Sequence, residues 1–429
     1  MISASNLYRD VAYLTETIGI RLAGSEGERQ AAEYIKSRML EYVPKCHIEE
    51  FPVMCRKVER EELSVFLNGE WVNVPAMLFN GAPGTEGKVL EAPIVYFDSH
   101  TDYQRTDLSF VTGKAVIHWG LRFGSEENYG RMIQAQPACL LMVDTRYTSD
   151  IPLGDGMFPA YVKKFGAVPT VNVAFFDAWK IVSQKAETAR LTVKGQSVPA
   201  MSYNVVADIP GTMEKPLYFY CGGHLDTQSG TVGADDNAIG CAILVELARV
   251  LSQKNLRHTV RLVAFGAEEQ LSVGSASYVR RHRAEIEEKG RFMWNFDSCS
   301  SAVGWNNFLI NTDDATRKLI ADCFHSRDIY YLENRIAEPT IDLFPFTAAG
   351  VPGFSMHRRN CETGTFFHHR PASTLENIST QIAASIASCA ADMICKLDGE
   401  AYDGTYTLDP TLPEAVSAGW QETFGGWEG

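Results

Sequence analysis

The sequence lacks the features of nucleic-acid-binding, membrane-spanning and disulfide-rich proteins. Its 39 Lys and Arg residues are outnumbered by 53 Asp and Glu residues. The formal net charge of -14 argues against nucleic acid as a partner, because neutralising phosphates requires basic patches. No apolar run reaches the roughly 18 residues that a membrane span needs. None of the 10 Cys residues forms a Cys-x-x-Cys motif, so we predict reduced, buried thiols rather than a structural zinc site.

The N-terminal residues also lack the basic segment and apolar core of a secretory signal. We therefore expect a cytoplasmic protein, with an extracellular location left open if a leader has been removed. The 429 residues are enough for a large core and two domains. Hydrophobic residues make up 45% and charged residues 21%, which is ordinary for a globular protein.

The chain has three regions of different character. Residues 1–66 and 200–396 are predicted to form one discontinuous α/β domain. Residues 67–199 are predicted to form an inserted, β-rich α+β domain, because short β-like runs alternate there with Gly and Pro turns. Residues 397–429 form an acidic C-terminal tail without Lys or Arg. Three aromatic residues near its end predict that part of it packs against the body or a partner subunit: Trp420, Phe424 and Trp427.

From residue 202 onwards, apolar strands alternate with helices. This order predicts a mainly parallel mixed sheet with helices on both faces. The predicted strands are 216–221, 259–266, 292–296 and 351–356. The predicted helices are 238–252, 274–289, 313–325 and 375–396, with two more at 5–18 and 26–42 near the N-terminus.

Histidine residues and acidic residues follow these strands. In a parallel sheet the carboxyl ends of the strands meet at one edge, so residues far apart in sequence can meet there. Zinc accepts a mixture of imidazole and carboxylate ligands, so each of two ions could take one of each and share a third carboxylate. Two such ions can also share a water and lower its pKa. The five candidate ligands are His224, Asp236, Glu269, Asp297 and His369.

Two further carboxylates lie beside these candidates. Glu268 and Glu269 are adjacent, so one can bind metal while the other takes the proton of an attacking water. Asp226 lies two residues after His224, where its carboxylate can accept the second N–H of the imidazole. Singly these residues are ordinary loop groups, but their occurrence in order at successive strand ends predicts a site.

The same segments resemble the signature blocks of the co-catalytic zinc aminopeptidases, which include bacterial leucyl aminopeptidase, aminopeptidase Y and the glutamate carboxypeptidases. The resemblance runs from about residue 203 to 390. The segment 21–25 resembles the family's N-terminal segment, and 67–199 resembles, more weakly, its inserted protease-associated domain. The blocks are His224-Leu225-Asp226, the run 233–240 (GADDNAIG), the run 265–269 (FGAEE), Asn295-Phe296-Asp297 and the run 369–376 (HRPASTLE).

The resemblance implies a zinc exopeptidase fold and a role for each residue. Asp236 would bridge two zinc ions, although cobalt or manganese can replace zinc in such sites. His224 and Asp297 would complete one ion, and Glu269 and His369 the other. Glu268 would be the general base, and the peptide bond after Asp236 would be cis.

The chain departs from the family pattern near its late histidine. The family often has Tyr before that histidine as a donor to the developing oxyanion, and here His368 can take that place. Ser373 stands where the family has Asp, and Ile341-Asp342-Leu343 stands for its Ser-Asp-His block. Arg358 and Arg359 can pair with a substrate carboxylate.

These observations predict a metal-dependent exopeptidase, and among exopeptidases an aminopeptidase acting on peptides. A carboxypeptidase or dipeptidase on the same metal core stays open, and Arg358 with Arg359 is the feature that favours it. A non-catalytic binding relative would have lost ligands, and all five are present. A cyclising or acyl-transfer enzyme with one zinc is a further alternative, and a homodimer is left open.

Overall fold

The structure is a computed structural model that describes residues 1–399 and 406–428. It divides into two compact units. The first consists of Met1–Val53 and Ala200–Glu428, and the second of Met54–Pro199. The first division falls earlier than the predicted boundary at residue 66, and the second falls at the predicted one.

Strands and helices alternate through most of the chain. The strands are β1 (Lys45–Leu67), β2 (Glu70–Val74), β3 (Ala76–Leu78), β4 (Leu90–Asp98), β5 (Ala115–Trp119), β6 (Cys139–Val143), β7 (Thr170–Val173), β8 (Thr188–Ile209), β9 (Tyr218–His224), β10 (Thr259–Phe265), β11 (Gly290–Phe296), β12 (Trp305–Ile310), β13 (Tyr331–Asn334) and β14 (Gly353–Arg359). The α-helices are α1 (Ala4–Ala12), α2 (Glu26–Met39), α3 (Glu126–Gln134), α4 (Pro159–Phe165), α5 (Phe175–Ser183), α6 (Ile239–Leu251), α7 (Val273–Arg281), α8 (Arg283–Lys289), α9 (Asp314–His325), α10 (Leu343–Ala348), α11 (Thr380–Leu397) and α12 (Pro413–Phe424). Among the described residues, no helix combines the length and the apolar character needed to cross a membrane.

The first unit is built on a mixed, mainly parallel sheet, as the sequence predicts. Its strands lie in the order β13, β12, β14, β11, β9, β10 and β8. The central strands β14, β11, β9 and β10 are parallel to one another. By contrast, β12 is antiparallel to β14, and the end of β8 is antiparallel to β10. The carboxyl ends of the four central strands therefore lie at one edge.

Helices cover both faces of this sheet, because successive residues of each strand point to opposite faces. In β9, Phe219 and Cys221 join the apolar cluster that contains α1, α2, α6 and α11. Tyr220, between them, joins a second cluster with Tyr278 of α7 and Phe346 of α10. Full burial of an apolar side chain such as Phe219 or Phe346 stabilises the fold by about 1.5–3 kcal/mol. The rigid double-sided core fixes where the strand ends lie.

The second unit has its own sheet and core. The strands β4, β5, β6 and β7 are parallel neighbours, and β3 is antiparallel to β7 at one side. β1 and β2 form a hairpin whose turn is Asn68-Gly69, with positive φ at both residues. The core includes the fully buried Val116, Leu140 and Val171. Its likeness to a protease-associated domain stays a prediction.

Several elements differ from their predicted form. The helix predicted over 274–289 is interrupted at His282, whose backbone (φ -106, ψ 14) is not helical. The helix predicted from 375 begins at Thr380, because the Ser379 hydroxyl accepts from the Ile382 N–H and caps it. The strands β12 and β13 were not predicted, since their polar residues do not alternate as a half-buried strand should.

Part of the acidic tail packs against the first unit. Helix α12 begins with Pro413 in its first turn and ends before Gly425, which has φ 72. Its Val416, Trp420 and Phe424 are buried against Phe344 of α10. Residues 400–405 and 429 of the predicted tail lie outside the described residues.

Candidate active site

The candidate site lies at the carboxyl ends of the central parallel strands. His224 is the last residue of β9, and Asp297 follows β11 directly. Glu269 lies four residues after β10, and Asp236 lies in the segment that leads into α6. His369 comes from the loop after β14. Five segments distant in sequence thus place one side chain each at one sheet edge, as the α/β pattern predicts.

Asp236 lies between two groups of donor atoms. On one side its Oδ1 is 3.0 Å from His224 Nε2, which is also 3.6 Å from Asp297 Oδ1. On the other side its Oδ2 is 3.6 Å from His369 Nε2, which is 2.9 Å from Glu269 Oε2. The two oxygens of one carboxylate therefore face two separate imidazole–carboxylate pairs. The peptide bond between Asp236 and Asn237 is cis, as the resemblance implies.

The donor set fits divalent metal ions of the zinc type. Two imidazoles and three carboxylates supply the nitrogen and oxygen ligands that zinc accepts. Among the described residues, the buried atoms His224 Nε2 and Glu269 Oε1 have no hydrogen-bond partner, which is costly unless another group binds them. His224 Nδ1 lies 3.2 Å from the backbone oxygen of Asp226 and donates its proton there, so Nε2 is the ring nitrogen that faces the carboxylates.

Burial governs the charges of the cluster. It raises the pKa of Glu269 to about 7, against the lowering effect of His369. Burial also opposes ionisation of Asp236, but the neighbouring imidazoles of His224 and His368 hold its pKa well below the usual range. Asp236 thus stays an anion between the two imidazoles.

Glu268 lies beside the cluster but is directed differently from Glu269. Its Oε2 is 3.9 Å from His224 Nε2, and its Oε1 accepts a hydrogen bond from the Ser272 hydroxyl at 3.3 Å. Burial raises its pKa well above the usual value, while the charge of His224 lowers it. A raised pKa suits a group that must accept and later release a proton.

Asp226 contacts the imidazole of His224 and also binds the backbone of the two glutamates. Its carboxylate oxygens accept hydrogen bonds from the backbone N–H groups of Glu268 and Glu269, at 2.9 and 3.1 Å. The carboxylate is 3.6 Å from His224 Nδ1, which is closer to the backbone oxygen of the same residue. The two-residue spacing predicted proximity but could not tell which atom would face the ring.

The three predicted substrate-binding residues fall in different places. The His368 ring stacks on His369 with centroids 3.6 Å apart, and its Nδ1 is 3.4 Å from Asp236 Oδ2. The predicted role of Arg358 in binding a substrate carboxylate is wrong. Its guanidinium instead donates to the backbone oxygens of Ser301 and Gly304 and to Asn306 Oδ1. It holds that loop and is not directed at a substrate.

Arg359 is half-buried at the end of β14, and one of its nitrogens donates to the Glu362 backbone oxygen at 3.3 Å. Of the three residues, the structure therefore brings His368 into the cluster. The two arginines differ although they are adjacent, because alternate residues of a strand point to opposite faces.

Several residues of the site were not predicted to belong to it. Asp342 is buried, and burial raises its pKa to about 7, although the charge of His224 lowers it. His357 Nε2 is 2.8 Å from Ser355 Oγ. Burial lowers the pKa of His357, while the charges of Asp297 and Asp236 raise it. A signal for Asp342 existed in the departure from the family's Ser-Asp-His block, whereas a single histidine in a strand gives none.

Comparison with known proteins agrees with this geometry. Residues 204–394 match the model of peptidase family M28. Aminopeptidase YwaD of Bacillus subtilis (strain 168) is 25% identical over 388 residues, which cover 88% of this chain and 81% of that protein. Carboxypeptidase Q of Rattus norvegicus is 25% identical over 413 residues, which cover 90% and 85%.

Solved structures show the same fold over nearly the whole chain. The zinc aminopeptidase BSAP from Bacillus subtilis superposes with a TM-score of 0.78 at 19% identity, covering 95% of this chain and 98% of that one. A peptidase M28 precursor from Shewanella amazonensis SB2B gives 0.77 at 21% identity, with 95% of both chains covered. Residues 204–394 are therefore similar to peptidase family M28, and the protein is a metal-dependent exopeptidase that hydrolyses peptide bonds.

Proposed function

We propose that the protein is an aminopeptidase that removes the N-terminal residue of peptides with the help of two zinc ions. The observation that carries the proposal is Asp236, whose two carboxylate oxygens face two separate donor groups. His224 and Asp297 would hold one ion, and Glu269 and His369 the other. When bound, the ions would lower the pKa of a shared water and polarise the scissile carbonyl.

Glu268 is the general base of the proposed mechanism. Its carboxylate lies beside the donor cluster without being part of either pair, so it can face the water that attacks the carbonyl. It takes the proton of that water and passes it to the leaving amine. His368, which lies against Asp236 and His369, is placed to donate to the developing oxyanion.

The charge of the site favours a free amino terminus as the group that is recognised. Besides the proposed carboxylate ligands, Asp226 contributes a further buried carboxylate beside the cluster. Such a site attracts an α-ammonium group and repels a free carboxylate. The guanidinium of Arg358 is used within the chain, which removes one cation that a carboxypeptidase would use.

A carboxypeptidase is the second candidate, and the relatives named carboxypeptidase Q favour it. A matched set of peptides separates the two. With added zinc, we expect cleavage of peptides with a free amino terminus and no cleavage of the same peptides after N-acetylation. Release of the C-terminal residue from the acetylated series would refute the aminopeptidase proposal and support the second candidate.

The role of Glu268 is tested by Glu268→Gln, which removes the base while keeping the size of the side chain. We expect kcat to fall by about 10²–10⁴-fold. The zinc content after dialysis should stay that of the wild type, because no proposed ligand is lost. Glu285→Gln in α8, outside the cluster, is the control and should retain activity. A Glu268→Gln protein with wild-type turnover would show that another group accepts the proton.

A further inference from the structure

The segment Gly19–Glu28 carries two charged side chains that are fully buried, Arg21 and Glu28. Neither is part of the candidate site described above. The segment connects the π-helical turn at Tyr13–Ile18 to α2. We call this segment the N-terminal clasp, because its two charged side chains each bind a different loop of the site.

Arg21 binds the loop that joins His224 to Asp236. Its guanidinium donates to the backbone oxygens of Leu225 and Val232, each at 2.8 Å, and of Gly233 at 3.2 Å. Further bonds reach the Leu14 and Gly19 oxygens on the N-terminal side. One planar group thus ties both ends of the loop to the clasp.

The backbone of Arg21 reinforces this attachment. Its N–H donates to Thr227 Oγ1 at 3.0 Å, and its carbonyl accepts from the Thr227 N–H at 3.2 Å. Thr227 is fully buried and lies between His224 and Asp236 along this loop. The loop is therefore held at three places along its length.

Glu28 binds the other loop of the site. Its Oε1 accepts from the Ala267 N–H at 3.2 Å and from the Ser202 hydroxyl at 2.6 Å, and its Oε2 accepts from the Gly24 N–H at 2.7 Å. Ala267 directly precedes Glu268 and Glu269. The clasp therefore sets the distance between the loop of His224 and Asp236 and the loop of the two glutamates.

The positive charge of Arg21 also acts on the carboxylates of the site. The carboxylates of Asp226, Asp236 and Glu269 act on its buried guanidinium, which stays cationic in proteins. This fixed positive charge offsets part of the repulsion among the carboxylates. Lysine cannot replace it fully, because an ammonium has three donors and no planar fork.

We propose that Arg21 and Glu28 are positioning residues of the metal centre: they hold the two ligand loops at the spacing that metal binding requires. The proposal rests on the proposed use of His224, Asp236 and Glu269 as ligands. It predicts that loss of the clasp weakens metal binding by protein that is still folded. A purely structural role would lower stability and leave the affinity of the folded protein unchanged.

The test measures zinc affinity by competition with a chromophoric chelator, in full-length protein whose folding is checked by circular dichroism. The variants are Arg21→Met, Arg21→Lys, Glu28→Gln and Thr227→Val. Groups that orient ligands typically change metal affinity by about 10–100-fold, so we expect a loss of that size for Arg21→Met and partial rescue by Arg21→Lys. The control is Arg317→Met, which removes another buried arginine of the first unit, bound by Asp409 and Glu333.

If Arg21→Met does not fold, Thr227→Val and Arg21→Lys decide the question, since each keeps most of the contacts. Weakened zinc binding in these folded variants, with wild-type affinity in Arg317→Met, supports the proposal. Wild-type affinity in all folded clasp variants overturns it. Failure of the aminopeptidase proposal is a separate result. In that case peptides with a free amino terminus would stay uncleaved, whereas the zinc affinities of the variants could still be measured and compared.

Discussion

The most informative single substitution is Asp226→Asn. The native carboxylate accepts one backbone N–H on each oxygen, from Glu268 and Glu269. An asparagine keeps one acceptor and turns a donor toward the other N–H, which is then buried without a partner. The turn it supports is strained, because Ala267, Leu271 and Ser272 all have φ between 51 and 69.

The size of the effect follows from these contacts. A hydrogen bond to a charged group contributes about 1.5–3 kcal/mol, and an unpaired buried N–H costs about 1–3 kcal/mol. We therefore expect Asp226→Asn to lower the free energy of unfolding by about 3 kcal/mol. Because both glutamates shift with the turn, kcat of the folded fraction should fall by about 10–100-fold.

Urea denaturation of the metal-free protein measures the first quantity, and turnover of a free-amino peptide measures the second. Asp10→Asn is the control, since Asp10 is also fully buried but is bound to Arg9 and Arg38 away from the cluster. It should lower stability and leave kcat unchanged. If Asp226→Asn keeps the wild-type stability and loses only zinc affinity, the carboxylate acts on His224 and our reading of the two N–H bonds is wrong.

Two further predictions concern metal content and pH. Asp236→Ala should lower the zinc content after dialysis, because it removes the carboxylate shared by both donor groups; unchanged zinc by elemental analysis would contradict this. Burial lowers the pKa of His118 to about 4, against the raising effect of its bond to Gly120, whereas the unfolded chain has 6.5. Its stabilisation is therefore full above pH 6.5 and is lost toward pH 4, by about 3 kcal/mol in total.

The His118 prediction is measured in the presence of chelator, so that loss of metal at low pH does not contribute. The free energy of unfolding of the wild type should fall more steeply between pH 6.5 and 4.5 than that of His118→Gln. Parallel pH profiles of the two proteins would show that the histidine does not titrate on unfolding in this range.

The positions of His224, Asp297 and Glu269 could be predicted because they depend mainly on strand order. Tyr218–His224 is an apolar strand that ends in a polar residue, and Gly290–Phe296 is another that is followed by Asp297. Parallel pairing then brings their ends to one edge whatever the loops do. The same reasoning places Glu269, whereas Asp236 and His369 lie in longer loops and their roles are implied by the resemblance to the zinc aminopeptidases.

The partners of the surrounding side chains could not be predicted, because they are bonds between distant segments. Glu28 binds Ala267 across 239 positions of the chain. Arg358 and Arg359 are adjacent residues of the same type, yet the guanidinium of Arg358 is bound by the 301–306 loop. Local patterns specify which face a residue lies on, whereas tertiary packing decides which atom it meets.

The residues next to the proposed ligands show why the site behaves as one structure. Asp226, two residues after His224, holds the backbone of the two glutamates. On either side of Asp236, Asp235 accepts from the Ser300 N–H and hydroxyl, and Asn237 donates to the Phe296 oxygen. Each neighbour of one ligand thus fixes the loop of another, because Phe296 and Ser300 flank Asp297. We therefore expect a substitution at any of them to displace ligands other than its own neighbour, because hydrogen bonds between the loops hold the acidic cluster together.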